Sequence, residues 1–179
     1  MFKNIDLNDK QADWKSLKDV ATIVGGSTPK TENKEYWNGN NKWITPAEID
    51  KDTFYVFDSE RHITEAGVKS CTLQLLPINT VLLTSRAPIG KVAITGAEMY
   101  CNQGFKNIIC SKHLHHYYVY YLLEFNVKYL NAIGSGTTFK EISKTVVENI
   151  RIPVPDYRNQ ELFASFTEQI NKLKFINKR

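Results

Sequence analysis

The side chains with the richest chemistry lie in a few small groups. His113, His115 and His116 stand together ahead of an apolar run. Imidazole suits zinc or copper, yet no acid or cysteine falls at ligand spacing from them, so exposed first-turn polar residues explain the trio better than a metal site. His62 follows Arg61 and has Asp58 and Glu60 close by, the weak seed of a small hydrolase built on a histidine and a carboxylate. Glu32-Asn33-Lys34 supplies one acid and one lysine of the kind nucleases use, without a second acid upstream on a strand. Cys71, Cys101 and Cys110 are odd in number and lack CxxC spacing, which fits reduced, inert thiols. The sequence contains no GxxxxGK[ST], GxGxxG, HExxH or GxSxG pattern. A methyltransferase acting on adenine amino groups would show Asn/Asp-Pro-Pro-aromatic, whereas Val154 separates Pro153 from Pro155. These residues describe a binder rather than an enzyme, with no cofactor and no metal expected.

The elements that must position such a binder can be read from periodicity. Trp14, Leu17, Val20, Ala21 and Val24 recur near helical spacing and run into Gly25-Gly26, a helix-to-strand passage. Residues 27–41 are rich in Thr, Asn, Gly and Pro but hold Tyr36 and Trp37, which predicts a long loop pinned by aromatics. Short β-like runs follow at 42–45, 53–57, 80–85, 91–95 and 106–110, with Ala87-Pro88-Ile89-Gly90 as punctuation between two of them. Ser111 is the expected cap of one helix carrying Leu114, Tyr118, Tyr121, Leu122, Phe125 and Tyr129. Gly134-Ser135-Gly136 closes that helix, and Thr138-Phe139-Lys140-Glu141 has the capping-box pattern of another. Ile152-Pro153-Val154-Pro155 is extended by proline geometry, and a last helix begins near residues 156–160. In it Phe163, Phe166, Ile170 and Leu173 form a heptad-like seam, so a partner helix is expected there; an amphipathic helix lying on its own domain is the competing reading. The fold class is α+β: a twisted mixed or antiparallel sheet with flanking helices over residues 1–155, then a projecting helix over 156–179 that pairs as a coiled coil.

At 179 residues with 42% hydrophobic and 12% aromatic content, the chain is long enough for one ordinary core. The apolar run at 114–130 is interrupted by Glu124 and Lys128 and cannot span a membrane; residues 1–14 lack a signal-peptide core, so a cytoplasmic location is expected. The net charge of +4 is uneven: −1 over residues 1–50, 0 over 51–100, +2 over 101–150 and +3 over 151–179. Between Glu65 and Glu98 there is no acid, while Lys69, Arg86 and Lys91 fall in that window. A polyanion is a plausible partner for such a stretch, as are ordinary solvated lysines.

A series of motifs narrows this further. Trp14 and Leu17 lead to Gly25-Gly26-Ser27-Thr28-Pro29, then come Tyr36-Trp37-Asn38-Gly39 and Trp43-Ile44-Thr45-Pro46. Later segments keep the order: Ile63-Thr64 with Gly67, Thr84-Ser85-Arg86-Ala87 with Gly90, Asn102-Gln103-Gly104-Phe105, Gly136-Thr137-Thr138-Phe139 with Ile142, and Ile152-Pro153-Val154-Pro155 with Gln160. Together these resemble a target recognition domain from the DNA specificity subunit of type I restriction-modification systems, over roughly residues 14–173. The sequence departs from the pattern at Ser27, inserted in the glycine loop, and at Asn159, where the family usually has Glu. The family commonly strings two recognition domains and two long helices together, and one of each is visible here.

The resemblance implies a non-catalytic reader of one half of a bipartite site in double-stranded DNA. Methyl transfer from S-adenosylmethionine and ATP-driven cleavage would belong to modification and restriction subunits. The terminal helix would pair with a second such helix; in a homodimer, two identical readers would face inverted half-sites. Base reading needs hydrogen-bonding side chains on a loop or sheet edge, and the candidates are Ser27, Thr28 and Lys30, Thr45, Thr84, Ser85 and Arg86, and Asn102 with Gln103. Thr84 and Ser85 serve equally well to end a strand, and Asn102-Gln103 to make a turn. Ser135, Thr137 and Lys140 at the glycine turn, with Lys69, Lys91 and Lys106, are the phosphate candidates. The dimer or partner seam is Phe163, Phe166, Ile170 and Leu173. A free-standing DNA-binding module, or a regulator outside any methyltransferase assembly, is the alternative with the same fold.

Overall fold

The computed structural model describes residues 13–136 and 140–176, with side chains through Asn171. The chain runs β1 (Trp14–Ser16), α1 (Leu17–Val20), β2 (Ala21–Gly25), a 3-10 turn at Lys34–Tyr36, β3 (Trp37–Ile44), a second 3-10 turn at Pro46–Glu48, β4 (Tyr55–Val56), β5 (His62–Ile63) and α2 (Glu65–Lys69). It continues with β6 (Val81–Leu83), β7 (Val92–Thr95), β8 (Tyr100–Cys101), β9 (Lys106–Cys110), α3 (His116–Phe125), α4 (Val127–Ile133), α5 (Lys144–Glu148), β10 (Arg151–Pro153) and α6 (Tyr157–Ile176). The α+β class and mixed sheet are as expected from the sequence.

The central sheet has the order β2-β9-β6-β7-β4, antiparallel except for the parallel β4–β7 pair. Its strands alternate apolar side chains to both faces, as a period of two demands. Ile23, Val81, Leu83, Val92, Ile94 and Ile108 face one core, shared with α1, α3, α4 and α5. Val24, Leu82 and Ala93 face the other, where they meet Ile44, Leu76, Met99, Cys101 and Phe105. Over that second core lies a smaller layer, β5-β3-β8, in which Trp43 pairs with Tyr100 and Ile44 with Cys101. A two-stranded clasp joins the start of the domain to its end, with Lys15 opposite Ile152.

Three local expectations are corrected. The apolar run after Ser111 is not one helix: Leu114 N–H closes a turn on the Ser111 carbonyl, and α3 starts only after His115, whose Nδ1 accepts the Tyr117 N–H at 3.2 Å. The run then breaks at Asn126, whose side-chain amide donates to the Leu122 carbonyl at 2.7 Å and so takes an acceptor at the helix end. Glu141 does not complete a capping box; its backbone makes a two-way bridge with Ser135, and α5 is capped two residues later by Ser143, whose hydroxyl accepts the Val146 N–H. The other half of that pattern, Thr137 to Phe139, lies outside the described residues.

The terminal helix also divides its apolar stripe. Phe163 turns inward, its ring 5.6 Å from that of Tyr121 and 6.2 Å from that of Tyr118 on α3. Ala164 and Thr167 are buried beside it, and Asn171 donates to the Tyr121 hydroxyl at 2.9 Å. Leu162 and Phe166 are exposed, at 63% and 61%, with Ile170 half-buried. Phe163 therefore belongs to the domain, not to an outward seam with Phe166; the Leu173 side chain lies outside the described residues. A contact of this kind follows from 3.6 residues per turn: residues three apart, as 163 and 166 are, lie on neighbouring but distinct faces. Among the described residues no helix is long and apolar enough to cross a membrane.

Candidate nucleic-acid interface

One end of the central sheet, where β2 and β6 finish and β9 begins, forms an edge that collects most of the polar candidates. The loop after β2 is fixed from beneath by tryptophans: Trp43 Nε1 donates to the Ser27 carbonyl at 3.0 Å and Trp37 Nε1 to the Lys30 carbonyl at 3.2 Å. The two rings meet edge-on at 5.1 Å, and the Arg61 guanidinium covers them, 3.6 Å from the Trp37 centroid. Arg61 escaped the sequence reading because its partners are distant in the chain. Gly26 allows the loop to lie against the β8–β9 turn, since a Cβ there would come within 2.1 Å of the Asn102 carbonyl. That approach brings the Thr28 hydroxyl onto the side-chain oxygen of Gln103. Asn102 Oδ1 accepts the Gly104 N–H at 2.8 Å, so Asn102 does make the turn, while remaining partly exposed.

The same turn reaches a cationic cluster. Lys106 Nζ lies 3.2 Å from Glu141, 3.2 Å from the Ser85 hydroxyl and 3.5 Å from the Gln103 carbonyl. Glu141 also binds Arg86, at 3.5 Å, and the backbone bridges place Arg86 and Ser135 on either side of it. The acid-free window thus receives its counter-charge from Glu141, a residue 55 positions away from Arg86. Arg86 is set at the end of β6 by the turn that follows, in which Gly90, at φ +94°, donates its N–H to the Thr84 carbonyl. A side chain at that φ would be strained, so glycine is required there.

Two of the base-reading candidates are not on this edge's surface. Thr84 and Ser85 are both 0% exposed. The Thr84 hydroxyl donates to the Pro88 carbonyl at 2.7 Å and accepts the Lys91 N–H at 2.9 Å. The Ser85 hydroxyl donates to the Gly104 carbonyl at 3.0 Å besides accepting from Lys106. Both hydroxyls are spent inside the fold, so they hold the turn and cannot meet a base. Thr45 is a cap: its N–H and hydroxyl both donate to Glu48 Oε1, at 2.7 and 2.9 Å. Lys91 Nζ donates to the Pro46 carbonyl at 3.1 Å, tying β7 to that second 3-10 turn. Ser27 is partly exposed and Lys30, Ser135 and Lys140 are exposed; Thr137 lies outside the described residues. Lys69 is exposed on α2, which packs with β3, β5 and the first 3-10 turn rather than with the Arg86 cluster.

The groups that could support catalysis have other occupations. His62 Nε2 lies 3.0 Å from Asp58 Oδ1, while the hydroxyl of the adjacent Ser59 accepts the Trp43 N–H and donates to the Arg61 carbonyl. His115 and His116 stack at 4.5 Å; burial holds both below the ordinary imidazole range, His116 at about 4. Burial also pushes the Cys101 and Cys110 thiols up to about 12, which leaves them protonated and weakly nucleophilic at neutral pH. Among the described residues no group of three or more His, Cys, Asp or Glu could hold a metal ion.

Comparison with known proteins agrees with the motif order. The family described as the type I restriction modification DNA specificity domain matches residues 11–179. The specificity subunit of the type I restriction enzyme MjaIX of Methanocaldococcus jannaschii is 40% identical over 177 residues, covering 96% of this chain and 41% of that protein. The EcoR124I/EcoR124II specificity subunit of Escherichia coli is 25% identical over 176 residues, covering 94% of this chain and 43% of that protein. The chain therefore spans about two fifths of the length of these relatives. Among solved structures, the HsdS subunit of Thermoanaerobacter tengcongensis superposes with a TM-score of 0.69 at 18% identity over 89% of this chain and 37% of that one. A chain from a study of complex assembly in a type I restriction-modification system gives 0.72 at 20% identity, over 89% and 38%. Family match, identity and fold converge, and the chain belongs to the type I restriction modification DNA specificity domain family.

Proposed function

We propose that this chain reads one half of a bipartite site in double-stranded DNA, as the recognition part of a type I specificity subunit. The observation that carries the reading is the continuous edge on which Thr28, Asn102 and Gln103 adjoin Arg86 and Lys106. Arginine suits guanine in the major groove, Asn and Gln suit adenine, and the flanking lysines suit phosphates. Ser27, Lys30, Lys91, Ser135 and Lys140 border the same surface as backbone contacts; Lys69 is a more distant one. Thr45, Thr84 and Ser85 are positioning residues in this scheme.

The chain performs no reaction itself. A modification subunit would supply methyl transfer with S-adenosylmethionine and a restriction subunit ATP-driven cleavage, both organised around the recognition domain and α6. The exposed Leu162 and Phe166, with the half-buried Ile170 one step of four further on, supply an apolar strip for a second α6 in a homodimer or for the second helix of a longer subunit. Residues 156–179 would then act as a spacer between two readers. Cytoplasmic location follows from the partners proposed.

A comparison of methylated sites in cells with and without the gene identifies the cognate sequence, and duplex binding then tests the edge. Arg86→Ala is expected to weaken cognate binding by about 1–3 kcal/mol with little change on random duplex, the signature of a base contact. Thr84→Val is expected to cost about 1–2 kcal/mol of stability, through its lost hydrogen bonds, and to leave the cognate-to-random ratio unchanged. Equal losses for Arg86→Ala on both duplexes would reassign Arg86 to phosphate, and unchanged binding to both would remove this edge as the interface.

A further inference from the structure

Resting on the DNA-reading role proposed above, we propose that Glu141, anchored by Lys106, is a specificity-determining residue, which holds Arg86 back from indiscriminate contact with DNA backbone. A surface meant to grip any duplex would leave its cations free. Here one carboxylate receives both, Lys106 at 3.2 Å and Arg86 at 3.5 Å. The two cations differ in exposure, and the difference assigns their parts. Lys106 is 12% exposed and has two further acceptors, so it stays within the fold and anchors Glu141. Arg86 is 40% exposed and Glu141 37%, so the guanidinium and the carboxylate share the solvent-facing position.

This arrangement acts differently on the two kinds of DNA. On random duplex a free Arg86 would add a phosphate contact, and each such contact steepens the salt dependence of binding. Glu141 opposes that in two ways: it neutralises Arg86, and its own charge repels an approaching phosphate. On cognate DNA the same carboxylate holds the guanidinium fork oriented for a base edge, which lessens the ordering cost of the specific contact. A charge that penalises the wrong ligand more than the right one raises the ratio between them without raising affinity. The backbone bridges of Glu141 with Ser135 and Arg86 are independent of its side chain, so an isosteric change should leave the turn intact.

The test uses the full chain, a 20-base-pair duplex carrying the sequence selected from a random library, and a scrambled duplex of equal length, read by fluorescence anisotropy over a salt series. Glu141→Gln should raise affinity for the scrambled duplex about five- to tenfold at low salt and steepen its log–log salt slope by about 1, one more phosphate contact. Affinity for the selected duplex should change less than about twofold. Glu141→Asp, which keeps the charge, should stay near wild type in the ratio of the two affinities. Because the effect passes chiefly through Arg86, adding Glu141→Gln to Arg86→Ala should recover little of that gain. A Glu141→Gln protein with unchanged affinities, or with equal losses on both duplexes, overturns the proposal. If library selection with the wild-type chain enriches no sequence, the DNA-reading role itself fails, which is a different result from an unchanged ratio.

Discussion

Lys106 and Gln160 each satisfy three partners, yet the regions around them are built for opposite ends. Gln160 is 0% exposed; its carbonyl accepts the His115 N–H at 2.9 Å, and its amide donates to the His113 and Pro155 carbonyls at 3.1 and 2.8 Å. These partners are neutral and Gln160 itself is buried among them, so the joint between α6 and the start of α3 closes on that side chain. Lys106 instead joins two neutral acceptors to a charged cluster, in which Arg86 and Glu141 reach solvent. Neutral partners around a buried amide resist exchange, because opening the joint strands the donor and acceptor of Gln160. Half-exposed ion pairs exchange readily, because water and a phosphate or base edge can replace each partner. The first region therefore fixes the direction of a helix; the second is available to a ligand.

The largest expected effect lies just beyond the sealed joint, where α6 presents Leu162, Phe166 and Ile170. Phe166→Asp with Ile170→Asp is expected to abolish helix pairing, giving a folded monomer by analytical ultracentrifugation. The monomer's own stability should fall by about 1–2 kcal/mol, chiefly through the half-buried Ile170, since Phe166 is already 61% exposed. A wild-type chain that remains monomeric at high concentration would leave α6 without the proposed twin.

At the joint itself, Gln160→Leu keeps the volume and removes the three hydrogen bonds. The stranded His115 N–H and two carbonyls should cost about 2–4 kcal/mol in urea unfolding. Amide exchange should quicken in α6 and at the start of α3 while the central sheet keeps its protection. Uniform loss of protection across the sheet would show that the joint is not a separable unit, and the contrast with the Lys106 region would fail.

Two strands of the central sheet were legible as short β-like runs bounded by Pro and Gly: the runs at 80–85 and 91–95 contain β6 and β7, which are buried at every position. The start of α6 was legible from the Pro153-Val154-Pro155 break. The break at Asn126 was not, because Asn126 sits inside a run whose apolar spacing continues through it, and only its side-chain bond to the Leu122 carbonyl ends α3. Nor could spacing separate Phe163 from Phe166, since the choice between them depends on where α3 lies. At the candidate interface, residue type could not distinguish Thr84 and Ser85, whose hydroxyls are consumed internally, from Thr28, whose hydroxyl lies on the partly exposed loop. Local spacing marks Glu141 as a helix cap and is blind to its tie to Arg86, which spans 55 residues. Local pattern found the frame, and the long-range pairings that decide which polar groups remain available came from the fold.

The smallest expected effect is on pH, and it separates the two regions again. His115 caps α3 through an unprotonated Nδ1, and His116 stacks on it. Burial lowers both from an ordinary value of 6.5, His116 to about 4, so the folded chain binds fewer protons than the unfolded one between those values. Stability from these two groups is complete above about pH 6.5 and is lost as pH falls towards 4. Protonation of His115 has a second cost, since it removes the cap acceptor and places positive charge at the helix N-terminus; Glu161, which faces His115 from α6, offsets part of this. Asp50 and Asp58 do not explain a loss in that window, because hydrogen bonds from Thr53 and from the Ser59 N–H hold their carboxyls below 3.8. The melting temperature should therefore drop by about a few degrees between pH 6.5 and pH 4.5. His115→Asn, which keeps a capping oxygen, combined with His116→Gln should flatten that slope. Persistence of the full slope in the double variant would place the titrating groups outside the joint.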